Sequence, residues 1–182
     1  MSTCVYFFGG YLASKTDMDV WVASAKTQQA KIDFIAYHWT EKDKEKKAVA
    51  AIKASKADKI YIVGHSSGCA NANAVDKALK DTSKVKLVAL DGFAPEKVQR
   101  DRSNTQVWAA VNGAFISRNH KDLKDLLGNK LEEFHARKDC TTKWALHFSL
   151  VNANASDSVV KEPPHHLATG YAQCKANLCW YP

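Results

Sequence analysis

Arginine is scarce in this chain. Of its 26 basic residues only four are arginine (Arg100, Arg102, Arg118 and Arg137), and the rest are scattered lysines. Phosphate and base-edge recognition favour the planar guanidinium fork, whereas dispersed lysine is ordinary solvated surface. No basic stripe with interleaved aromatics is present, so the net charge of +7 does not point to nucleic acid. That charge leaves acidic substrates or partners open. Any apolar run of transmembrane length is also missing. The opening MSTCVYFFGG lacks the basic flank and the long apolar core of a secretory leader. Both absences imply a cytoplasmic protein without a membrane span. Cysteine is present but unpatterned: Cys4, Cys69, Cys140, Cys174 and Cys179 are odd in number and lack zinc-ligand spacing. Free thiols in a reducing compartment are the expectation, with a Cys174 to Cys179 pairing left open.

What is there fits one folded domain over residues 1–182: 46% apolar and 25% charged residues, with no repeat and no low-complexity linker. Strand-like apolar runs alternate with helical patterns. Val5 to Phe8 reads as a buried strand ending at Gly9-Gly10. Asp17 to about Gln28 reads as a helix with Met18, Trp21, Val22 and Ala25 on one face. Ile32 to Trp39 is a second strand, and Thr40 is placed to cap the Lys/Glu-rich helix that carries Val49 and Ile52. Ile60 to Val63 is a third strand, followed by Gly64 to Gly68 and a helix with Ala70, Ala74, Val75 and Leu79. Val85 to Leu90 is a fourth, ending at Asp91. Gln106 to Val111 and Trp144 to Val151 read as two more strands, separated by a helical segment with Leu123, Leu126, Leu127 and Leu131 that Gly128 weakens or ends early. Asn152 to Pro164 reads as a loop before a short helix from His165. The pattern predicts a three-layer α/β/α sandwich around a mostly parallel sheet with little or no lid.

One stretch carries chemistry. GHSSG at Gly64 to Gly68 is a G-x-S-x-G motif lying between a strand and a helix, the context in which Ser66 is lifted above the sheet on a strained turn as a nucleophile. On this element order the chain resembles the α/β-hydrolase superfamily, and in size and in the GHSSG elbow it is similar to the small single-domain serine hydrolases of the retinoblastoma-binding-protein type. The run from GHSSG to LVALDGF resembles the thioesterase domains of peptide and polyketide synthases. The resemblance implies a Ser-His-Asp triad in the chain order serine, acid, histidine. It also implies an oxyanion hole from the main-chain amides of Ser67 and Tyr11, with Gly10 as the alternative to Tyr11. The superfamily's usual loop histidine is replaced by Gly9.

The base is expected beyond the last strand, where His165 and His166 lie, and His166 is preferred because it immediately precedes the apolar start of the final helix. His147 alternates with apolar residues in the expected strand and reads as a packed strand histidine, and His65 is expected to point away from the chemistry. Asp91 is the preferred acid, by the resemblance to the thioesterases, and Asp157 is the competitor in the usual acid loop. The expected reaction is cleavage of a small acyl ester or thioester, free or carried on a larger partner, without metal or organic cofactor. The alternative is a catalytically inactive binding protein on a hydrolase scaffold.

Overall fold

The computed structural model describes residues 2–10, 15, 18–19, 22–23, 26, 31–79, 83–92, 105–111, 120–136 and 138–151. Six strands form one sheet in the order β2-β1-β3-β4-β5-β6, where β1 is Thr3–Phe8, β2 Ile32–Tyr37, β3 Lys59–His65, β4 Val85–Leu90, β5 Thr105–Ala110 and β6 Leu131–Phe134. Every pairing is parallel. The central strands are buried on both faces, which is why they read as unbroken apolar runs.

Side-chain alternation divides the core in two. From β1, Val5 and Phe7 join Val63, Val88, Leu90 and Met18 on one face, where Ala145, Leu146 and Phe148 of helix α4 (Lys143–Ser149) cover them. Cys4, Tyr6 and Phe8 point to the other face. There they pack with Ala48 and Ile52 of α1 (Lys44–Ala54), Ala72, Val75 and Leu79 of α2 (Gly68–Leu79) and Leu127 of α3 (His120–Leu127). Helices on both sides of a parallel sheet make a three-layer α/β/α sandwich.

Three local expectations are corrected. Trp144 to Val151 is not a strand: Lys143–Ser149 is a helix, capped by the Thr142 hydroxyl, which accepts a hydrogen bond from the Ala145 N–H at 3.3 Å. The sixth strand is instead Leu131–Phe134, pairing with β5. Thr40 does not cap α1, whose N-cap is Asp43 in a left-handed conformation at φ 54°. Gly128, with φ +56°, does end α3. The helix expected from Asp17 to Gln28 lies largely outside the described residues, although Met18 is helical and buried. Among the described residues no helix is long and apolar enough to cross a membrane, and no group of three His, Cys, Asp or Glu side chains is placed to hold a metal ion.

Candidate active site

The order β2-β1-β3-β4 makes the chain leave β1 toward one side of the sheet and β3 toward the other. Parallel α/β sheets bind ligands at such a switch point, outside the carboxyl ends of the strands. Here those ends carry Gly9-Gly10 after β1, Ser66 after β3 and Asp91 after β4.

Ser66 closes β3 and precedes α2 with φ at +55°, a conformation an L-residue adopts only under strain. Its N–H donates to the Leu90 carbonyl at 3.0 Å and its own carbonyl accepts from the Cys69 N–H at 3.1 Å. The turn is thus bonded to β4 behind it and to the first turn of α2 ahead. Both motif glycines are dictated by space. A Cβ on Gly64 would lie 2.5 Å from the Cys69 Cα, and one on Gly68 would lie 2.2 Å from the Phe8 carbonyl oxygen. Gly10 approaches from β1, where a Cβ would come within 2.7 Å of the Ser66 Cβ and 3.3 Å of its Oγ. The glycine pair and the serine therefore share one crowded corner. Ser67 is half-buried on the elbow beside them.

Asp91 follows β4, also with positive φ (45°), and its N–H is held by the Trp108 carbonyl of β5 at 2.9 Å. Asp and Asn tolerate this region better than most residues. Its carboxylate is buried and its Oδ2 pairs with Nδ1 of His147, whose side chain is equally buried at 2% exposure. A buried carboxylate is retained only when paired and hydrogen-bonded. The bond requires a proton on Nδ1 when Asp91 is ionised, which leaves the Nε2 lone pair of a neutral His147 as its basic atom.

His65, just ahead of Ser66, turns toward this pair. Its Nε2 donates to the His147 main-chain carbonyl at 3.1 Å, and the two rings lie 4.4 Å apart. Burial, and after it the neighbouring His147, hold the His65 pKa well below the ordinary histidine value. Behind the elbow the Cys69 thiol donates to the Gly64 carbonyl at 3.1 Å, and burial pushes its pKa up to about 12. Cys69 is thus a structural thiol, and Cys4 and Cys140 are buried as well.

Of the residues singled out in the sequence, Ser66, Ser67, Gly10 and Asp91 gather at the carboxyl ends of neighbouring strands. Tyr11, Asp157, His165 and His166 lie outside the described residues. His147 is the residue the sequence reading passed over. The signal was Thr142, an N-cap residue type two positions ahead of the apolar run that starts at Trp144, which marks a helix start. With β6 recognised at Leu131–Phe134, His147 already lies beyond the last described strand, where a base is sought.

No family model matches the chain, and no curated protein matches it. Among solved structures it is similar to a candidate YdeN-like hydrolase from Pectobacterium atrosepticum. The two share 15% sequence identity and a TM-score of 0.48, over 74% of this chain and 77% of that one.

Proposed function

We propose that this protein is a serine hydrolase that cleaves a carboxylic ester or thioester through an acyl-enzyme on Ser66. The observation that carries the reading is the buried pairing of Asp91 Oδ2 with His147 Nδ1, at the end of the strand whose Leu90 carbonyl accepts a hydrogen bond from the N–H of the strained Ser66. In this reading His147 Nε2 takes the Ser66 hydroxyl proton as Oγ attacks the acyl carbonyl. Asp91 holds the imidazole in the required tautomer and stabilises the imidazolium. The amides of Ser67 and of Gly10 or Tyr11 stabilise the oxyanion. His147 returns the proton to the departing alcohol or thiol, then activates the water that releases the acid and regenerates Ser66.

What favours His147 over His165 and His166 is that Asp91, the acid singled out from the sequence, is already engaged with it. The chain order Ser66, Asp91, His147 also keeps the superfamily's sequence of serine, acid and histidine. The substrate class follows from the same chemistry: activated acyl carbonyls yield to a serine with an imidazole base, and the acyl group is free or carried on a larger partner.

The experiment is hydrolysis of a panel of p-nitrophenyl esters and acyl thioesters of increasing chain length by the wild-type chain and by Ser66→Ala. Turnover of at least one member, reduced to background by the substitution, supports the proposal. An undiminished rate in Ser66→Ala refutes it.

A further inference from the structure

The imidazole ahead of Ser66 is turned into the protein toward the Asp91–His147 pair. His65 is 1% exposed, and its ring meets those of His147 at 4.4 Å and Phe148 at 5.5 Å. Its Nε2 makes a hydrogen bond to main chain, 3.1 Å to the carbonyl oxygen of His147 itself. A carbonyl only accepts, so this bond needs the tautomer with the proton on Nε2. The contact joins β3 to α4 across 82 positions of sequence, and it lies one residue from the serine on one side and on the backbone of the proposed base on the other.

α4 is a helix of two turns, and its last residues Phe148 and Ser149 directly follow His147. Main-chain bonds within so short a helix fix its residues weakly against the sheet. Asp91 on the side chain and His65 on the backbone both tie His147 to the carboxyl ends of the central strands. We infer that His65 is a positioning residue for the reaction proposed above, locking the main chain of His147 to the nucleophile elbow so that base and serine keep a fixed separation. The inference rests on that reading of the site. The low His65 pKa agrees with the role, because an uncharged neighbour lets His147 accept a proton without facing a second positive ring. The rings of His147 and Phe148 of α4 pack against His65, and His147 in turn pairs with the Asp91 carboxylate.

Two variants separate the donor from the bulk. His65→Phe keeps an aromatic ring and loses the donor, whereas His65→Gln supplies an amide N–H near the same place. A base displaced by a fraction of an ångström costs roughly ten- to a hundredfold in kcat, and a loss of that size in His65→Phe with KM little changed, largely rescued in His65→Gln, is the expected result. A role confined to stability predicts activity that follows the thermal midpoint, with Gln no better than Phe, and that outcome overturns the inference. So does wild-type kcat in a folded His65→Phe. Should that variant not fold, long-range 1H–15N spectra of the wild-type chain read the tautomer directly: Nε2–H is expected, and Nδ1–H overturns the inference. Full activity in His147→Gln refutes the base assignment itself, whereas loss there with none in His65→Phe refutes only the part given to His65.

Discussion

Asp91 and His147, 56 positions apart in the chain, meet as a buried pair in which the carboxylate Oδ2 faces the imidazole Nδ1. The pair links the end of β4 to a helix that follows the last described strand, so the fold has brought together two groups that neither element needs for its own formation. Both sit where water does not reach, and each satisfies the polar demand of the other.

Exchange of Asp91 for Asn tests what that contact does for chemistry. The amide can offer its N–H₂ to Nδ1 and so favours the wrong imidazole tautomer, with Nε2 protonated. A fall in kcat of roughly a thousand- to ten-thousandfold is expected, measured on whichever ester the wild-type chain hydrolyses, with the circular dichroism spectrum unchanged.

Ser66 itself should be easier to replace for stability than for function. A non-glycine residue held at positive φ stores on the order of 1 kcal/mol or more, and φ at Ser66 is 55°. Ser66→Gly releases that strain while removing the hydroxyl, so the denaturation midpoint is expected to rise as turnover vanishes. Urea titration of the two chains checks the sign.

Two glycines only a few ångströms apart are expected to respond very differently. A Cβ on Gly68 meets main chain, 2.2 Å from the Phe8 oxygen and 2.8 Å from that of Gly9. Backbone cannot step aside, so Gly68→Ala is expected in the exceptional class, above about 4 kcal/mol, or unfolded. A Cβ on Gly9 meets the Met18 thioether, with Sδ at 2.4 Å. That flexible side chain can rotate away, and Gly9→Ala should cost about 1 kcal/mol. Equal losses by chemical denaturation would contradict the packing described.

The burial of His65 has a signed consequence for pH. Its folded pKa lies well below 6.5, while the unfolded chain takes up a proton near that ordinary value. Between the two the unfolded state binds more protons, so stability falls as pH drops below about 6.5, by at most about 1.4 kcal/mol per pH unit for this one group. His65→Gln should flatten the slope of denaturation midpoint against pH over that window. An unchanged slope would mean that His65 is already charged in the fold.

Much of this architecture was legible before any coordinates. β1, β3 and β4 are apolar runs stopped by glycine or by Asp91, and a parallel sheet buried on both faces leaves that mark. The elbow was legible because Gly64 and Gly68 are where backbone meets backbone. The second half was harder for physical reasons. The run from Trp144 to Val151 is packed so thoroughly from Ala145 onward that no polar face betrays the helical period, and a short buried helix then looks like a buried strand. β6 has the reverse problem: in LEEF, Glu132 is exposed and Glu133 half-buried on a strand at the edge of the sheet, which tolerates charge as a central strand does not. Misplacing that strand put His147 inside the expected sheet rather than on a helix beyond it.

The most direct measurement is labelling of the wild-type chain with a fluorophosphonate probe, followed by peptide mapping and repeated with His147→Gln, His165→Gln and His166→Gln. The account predicts a single adduct on Ser66, formed at undiminished rate in the last two variants and abolished or slowed at least a hundredfold in His147→Gln. No adduct on wild-type Ser66, or one that forms equally fast without the His147 imidazole, would contradict it.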